Sequence, residues 1–120
     1  MRLLAAAILA IGICSASAGP LDLLSFNIRF DNPKDGENAW PKRAAMVGDW
    51  LRSEAPDVVG LQEALRHQID AIRGAAPFYA EYGIGRDDGK EAGEYCAILY
   101  KPERLEAGDG GTFWLSDKPE

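Results

Sequence analysis

Asn27 and Glu63 are the two residues whose type and placement could do chemistry. Leu23, Leu24, Phe26 and Ile28 make residues 21–30 an apolar run broken near its end by Asn27 and Arg29, and residues 57–63 form a second short run closing on Gln62-Glu63. Apolar runs of this kind read as strands buried on two sides. A desolvated amide or guanidinium without a partner is costly, so polar groups closing such runs point to something bound there. A helical segment lies between the runs, which gives strand, helix, strand. If the strands are parallel, the crossover connection brings Asn27 and Glu63 to the same edge of the sheet. An amide and a carboxylate meeting there suit a hard cation and a phosphate. Taken alone, Glu63 reads better as a surface carboxylate opening the next helix, where the dipole favours negative charge. Paired with Asn27, it reads as half of a site.

The remaining elements must position that pair. Trp40, Ala44, Val47 and Leu51 fall on one stripe of a helix over residues 40–54, with Pro41 suited to its first turn and Ala55-Pro56 ending it. Trp40 and Trp50 read as packing groups rather than substrate platforms. A second amphipathic helix covers residues 64–76, with Leu65, Ile69, Ile72 and Ala76 as its buried stripe and Gly74 and Pro77 at its end. His67, the one histidine, falls on the polar side of that helix and reads as a surface residue. Residues 78–84 and 94–100 predict an antiparallel hairpin around the polar turn 85–89, the later strand being of the fully buried type with Cys96 as a small buried hydrophobe. One more strand is expected to start at residues 112–115. Residues 31–38 carry Asn-Pro and Asp-Gly turn dipeptides and no apolar period, so they read as a solvated loop beside the site. Their acidic residues lack the spacing and closing glutamate of a calcium loop.

Of 120 residues, 47% are hydrophobic and 27% charged, an ordinary globular composition. Met1-Arg2 followed by an apolar stretch to Cys14 and the small residues Ala16-Ser17-Ala18 predicts a signal peptide over residues 1–18 and a mature domain over 19–120, hence secretion or a periplasmic location. The apolar stretch is too short to span a bilayer as a stable helix, and no stable membrane insertion is expected after cleavage. A lipoprotein reading of Cys14 is weakened by the bulky Ile13 before it. Cleavage removes Arg2 from the 13 basic residues and none of the 19 acidic ones, a balance that does not favour long nucleic acid held by phosphate contacts alone. It leaves nucleic acid open as a partner, because an acidic site loaded with divalent metal can still face a phosphodiester. Only Cys96 remains, so no internal disulfide can form.

The wording of three stretches resembles a known family. Ser25-Phe26-Asn27-Ile28-Arg29, then residues 57–63, then Glu94-Tyr95 running into Ile98-Leu99-Tyr100-Lys101-Pro102, are similar to the N-terminal half of the endonuclease/exonuclease/phosphatase superfamily, the DNase I-like group. Arg29-Phe30-Asp31-Asn32 with Asp35-Gly36 and Trp40, and residues 85–89 with Gly93-Glu94, resemble a bacterial, often exported subgroup. The resemblance implies an α/β (α+β) fold, the N-terminal half of a four-layer αββα sandwich. It implies Glu63 as a metal-binding glutamate and Asn27 as a residue that helps hold the metal or orient the phosphate. Glu94 matches a glutamate that supports a catalytic histidine, and Arg86 and Asp87 fall in the subgroup's loop as candidate substrate-binding residues. The implied cofactor is Mg²⁺ or Mn²⁺, and the implied reaction is hydrolysis of a phosphodiester or phosphomonoester of unspecified identity: nucleic acid, sugar or inositol phosphate, or phospholipid headgroup. Magnesium takes one or two carboxylates and keeps several waters, so a lone glutamate is an acceptable partial ligand set.

The family's downstream Asp-x-Asn and Asp-His pairs do not occur here in suitable positions. The expectation is therefore a truncated enzyme, inactive by itself, with one apolar sheet face uncovered. The alternative is a non-catalytic binding or scaffold module that retains the fold. Oligomeric state and choice of metal are not legible in the sequence.

Overall fold

A computed structural model describes residues 19–117; the signal peptide read over residues 1–18 lies outside the described residues. Strand β1 (Leu23–Asn27) is followed by a short 3₁₀ segment (Pro33–Asn38), helix α1 (Trp40–Glu54), strand β2 (Val58–Gln62), helix α2 (Arg66–Ala75) and strands β3 (Ala80–Tyr82) and β4 (Ile98–Tyr100). The four strands form one mixed sheet in the order β1-β2-β4-β3. β1 and β2 run parallel, with Asn27 beside Gln62, while β4 is antiparallel to both β2 and β3. The expected strand–helix–strand unit and hairpin are both present, in a mixed α/β sheet.

Because side chains alternate across a strand, the register sorts the sheet into two faces. Leu24, Phe26, Val59, Leu61 and Leu99 share one face and pack with Val47 and Leu51 of α1 and Ile69 and Ile72 of α2 in a single core. The helices approach so closely that a Cβ on Gly48 would lie 2.6 Å from the Cβ of Ala75. The other face carries Leu23, Val58, Tyr82, Ile98 and Tyr100, and it is open: Leu23 is 72% exposed and Ile98 42% exposed.

That openness is the uncovered apolar sheet face expected from the sequence, and it corrects two other expectations. β1 is not buried on both sides, and the chain around β4 alternates, with Tyr95, Ala97 and Leu99 buried and Cys96 and Ile98 exposed. Cys96 is therefore an exposed thiol and not a buried hydrophobe. The strand expected at residues 112–115 does not form either. Phe113 and Leu115 are exposed, Trp114 donates its indole N–H to the Arg86 carbonyl at 2.8 Å, and Ser116 N–H returns to the Trp114 carbonyl, so the segment is tied into local turns rather than a ladder. Residues 31–38 are more ordered than a plain loop. The Asn32 side chain caps the 3₁₀ segment by accepting from Lys34 N–H at 3.0 Å, and Gly36 at φ 57° lets the chain kink within it.

α1 has the bounds its pattern predicts. Trp40, Val47 and Leu51 are buried, and Ala55 closes the helix in the left-handed region before Pro56. Trp50 is 43% exposed and meets Phe26 edge-on at 5.6 Å, a packing role. At the start of β2, the buried Asp57 carboxylate accepts from Asp22 N–H at 3.0 Å, Lys101 Nζ at 3.3 Å and Arg104 Nη1, while Arg104 Nη2 donates to the Pro20 carbonyl. This clasp fastens the chain before β1 and after β4 to one point. The backbone N–H of Asp22, helped by Arg104 and Lys101, holds the Asp57 carboxyl below its ordinary range against the opposing effect of burial. Close by, Tyr79 donates to the Pro56 carbonyl at 2.7 Å, and burial with the Asp57 charge pushes its hydroxyl up to about 12.

A carboxyl depressed in the folded state contributes stability above its unfolded pKa of about 3.9 and loses it as pH falls through the folded value. Asp57→Asn is thus expected to lower the melting temperature at pH 7 and to flatten the acid-side loss of stability below about pH 4. Thermal melts across pH check this; an equally steep acid limb in the variant would remove Asp57 as its source.

Candidate functional site

Parallel pairing of β1 and β2 puts the C-terminal ends of both strands side by side, with Asn27 opposite Gln62 and Glu63 one step beyond. Both exits then turn through left-handed backbone: Arg29 has φ 58° and Glu63 φ 59°. Non-glycine residues avoid this region, and such strain is held where the surrounding structure fixes it, characteristically at functional positions. The turns bring the side chains together. Asn27 Nδ2 donates to Glu63 Oε1 at 2.9 Å, and Phe30 N–H faces Glu63 Oε2 at 3.4 Å. Asn27 Oδ1 accepts from Arg29 N–H at 2.9 Å, which fixes the amide's orientation. The hydrogen bond from Asn27, with smaller help from Phe30 N–H and the Arg29 charge, holds the Glu63 carboxyl below the usual carboxylate range although desolvation opposes it.

Arg29 belongs to this rim. Its Nη1 lies 4.0 Å from Glu63 Oε2, its Nε and Nη2 form a forked pair with Asp35 at 2.9 and 3.1 Å, and its guanidinium sits 4.5 Å from the Phe30 ring centre. Asp35 comes from the 3₁₀ segment, so the loop expected beside the site supplies a carboxylate that holds a site arginine.

The segment before β4 contributes Glu94. Tyr95 N–H donates to the Ala64 carbonyl at 2.7 Å in an isolated antiparallel bridge, which ties this segment to the exit of β2. Both carboxylates line a hollow of about 340 Å³ with Arg86, Ile84, Cys96 and Trp114. Arg86 Nη1 donates to Glu94 Oε2 at 3.2 Å. The loop bearing Arg86 is tightly built: Asp88 Oδ1 accepts from Lys90 and Ala92 N–H at 2.8 and 2.9 Å, and a Cβ on Gly85 would lie 2.3 Å from the Ala92 carbonyl.

The sequence profile of the Endonuclease/Exonuclease/phosphatase family matches residues 24–116. The chain belongs to this family. Among solved structures it is similar to the endonuclease/exonuclease/phosphatase of Bacteroides vulgatus, at 41% identity and TM-score 0.79 over 83% of this chain and 38% of that one. It is also similar to a mannosyl-6-phosphatase of Bacteroides thetaiotaomicron, at 34% identity and TM-score 0.78 over 83% of this chain and 38% of that one. The chain thus spans 38% of the length of each of these relatives. No curated protein matches it.

Members of this family generally use divalent metals. Among the described residues no group of three or more His, Cys, Asp or Glu side chains is placed to hold a metal. What the rim offers is the open lone pairs of the Glu63 carboxylate, oriented by Asn27, whose Nδ2 faces Glu63 and whose Oδ1 is turned to Arg29 N–H. That set fits an ion that takes one or two protein oxygens and keeps its waters, such as Mg²⁺, and not one needing a full protein cage.

Of the residues singled out from the sequence, Asn27, Glu63, Glu94 and Arg86 converge on this edge. Asp87 does not line the hollow. Its carboxylate lies against Gly93, where a Cβ would come within 2.4 Å of the Asp87 Cγ, and it faces Arg86 Nε at 3.4 Å within its own loop. His67 is exposed as expected, with Nε2 3.0 Å from Asp31 Oδ2. Three residues were missed as site residues: Arg29, which faces Glu63, Asp35, which holds Arg29, and Gln68, which is fully buried. Arg29 carried a signal, a charge in an apolar run. Gln68 carried a weaker one, a glutamine three residues after the helix-capping position Leu65.

Asn27→Ala removes the donor that contributes most to the lowered Glu63 pKa. The Glu63 side-chain carboxyl, followed by ¹³C NMR, is expected to titrate closer to the ordinary value of about 4.3. An unchanged titration would mean that the amide does not govern this carboxylate.

Proposed function

We propose that the chain forms the N-terminal part of an exported, divalent-metal-dependent phosphoesterase that binds its ion at the Asn27–Glu63 rim. The observation that carries this reading is the 2.9 Å bond from Asn27 Nδ2 to Glu63 Oε1 at the adjoining ends of two parallel strands. Ligands of open α/β sheets gather at such ends. The relative named a mannosyl-6-phosphatase supports a sugar phosphate, a phosphomonoester, as the substrate class.

In this reading Glu63 is the anionic ligand. Kept ionised by Asn27 and Phe30 N–H, it is a poor proton acceptor near neutral pH and so a ligand rather than a general base. Asn27 holds the carboxylate at a fixed angle. Mg²⁺ or Mn²⁺ bound there would neutralise charge on the phosphoryl oxygens and make water a better nucleophile. Arg29, 4.0 Å from Glu63, and Arg86, lining the same hollow as Glu63, present cationic groups to the phosphate, each pre-oriented by a carboxylate: Asp35 for the first and Glu94 for the second. The Asp-x-Asn and Asp-His pairs to which the family resemblance assigns water activation do not occur here in suitable positions. The 120-residue chain is accordingly expected to bind metal and to show no appreciable hydrolysis by itself.

The test compares the purified chain with a complete reading frame that contains it, on sugar phosphates and phosphodiesters with and without EDTA. The complete protein is expected to hydrolyse a phosphomonoester only without chelator. Glu63→Ala should lower kcat/KM by more than the 10–100-fold typical of losing an outer-shell partner, roughly. Equal activity in Glu63→Ala, or turnover in EDTA, contradicts the reading; metal-dependent cleavage by the 120-residue chain contradicts its expected inactivity.

A further inference from the structure

Gln68 is fully buried on α2. Its Oε1 accepts from Leu65 N–H at 3.1 Å and from Asp31 N–H at 3.1 Å, and its Nε2 donates to the Arg29 carbonyl at 3.0 Å. The bond to Leu65 is the reach-back expected of a glutamine in the third helical position, and capping needs no more than that. The other two bonds leave the helix and seize the backbone on both sides of Phe30, whose N–H faces Glu63. One side chain therefore ties the exit of β1, which carries Asn27 and Arg29, to the exit of β2, which carries Glu63. Each exit contains a non-glycine residue held at positive φ. A strained turn persists only where its surroundings over-determine it, and here one buried amide binds Arg29 in the first turn and Leu65, two residues past Glu63, in the second.

We propose that Gln68 is a positioning residue for the site: by cross-linking the two strand exits it holds Asn27 within hydrogen-bonding reach of Glu63, and so sets the affinity of the rim for a divalent ion. The geometric half of this statement stands alone. The consequence for ion binding rests on the reading of Glu63 as a metal ligand.

The test uses the isotopically labelled 120-residue chain. Nuclear Overhauser contacts between the Asn27 side-chain amide and the Glu63 side chain report the pair, and paramagnetic broadening on titration with Mn²⁺ reports the affinity. Gln68→Met keeps the volume and removes all three bonds. Ile72→Val, fully buried one turn further along α2 and away from both exits, is the control for a general loss of stability. Gln68→Met is expected to lose the Asn27–Glu63 contact and to bind Mn²⁺ about 10–100-fold more weakly, while Ile72→Val keeps both. Retention of the contact in Gln68→Met overturns the proposal, as does loss of the contact to the same degree in Ile72→Val. Should Gln68→Met not fold, Gln68→Glu retains the acceptor for Leu65 and loses the donor to Arg29. It is expected to keep the α2 amide shifts and lose the contact, and the reverse result overturns the proposal. Absence of Mn²⁺ binding at Asn27 and Glu63 in the unsubstituted chain would sink the proposed function, and the contact measurement would still decide the role of Gln68.

Discussion

The structure depends on the parallel pairing of β1 with β2. Their register sets Asn27 beside Gln62, and it is this alignment that allows the next residues to turn toward one another. Neither exit continues as strand, because Arg29 and Glu63 take left-handed backbone that no ladder can use. The cost is met by a dense set of local hydrogen bonds: Asn27 to Arg29 N–H, Phe30 N–H to Glu63, and Gln68 to Arg29, Asp31 and Leu65. The site is thus a product of two strand ends held in an unfavourable shape, with side chains and backbone each fixing the other.

β2 carries a carboxylate at each end, and the two have opposite fates. Asp57, just before it, is buried and surrounded by Asp22 N–H, Lys101 and Arg104, so its charge is spent on joining three segments of chain. Glu63, just after it, keeps a third of its side chain exposed and faces an amide, a backbone N–H and an arginine that is already engaged by Asp35. Both carboxyls are held ionised by donors. Only the second retains open lone pairs beside solvent, and that difference in surroundings, not in pKa, separates a structural anion from the proposed ligand.

The helices and the meeting of Asn27 with Glu63 were legible in the sequence because each follows from a period or a chain rule. Pro41, the Trp40–Leu51 stripe and Ala55-Pro56 bound α1 without help from tertiary contacts. One uncovered apolar sheet face was expected, and Leu23, Ile98 and Cys96 lie on it; which strand positions it would take was not legible, because apolar character on both faces of a strand reports a preference and not an actual cover. Gln68 offered at most a capping signal, since nothing in a single glutamine shows that it also binds backbone groups of another element. The positive φ of Glu63 was equally hidden, because glutamate has no leaning toward it.

The account stands on Glu63, held by Asn27, as the oxygen donor for a divalent ion. Anomalous diffraction from crystals grown with Mn²⁺ tests this directly. A peak is expected at bonding distance from the Glu63 carboxylate, on the side away from Asn27 Nδ2, with the remaining positions filled by water. A peak seated elsewhere, or none at Glu63 at millimolar Mn²⁺, would contradict it.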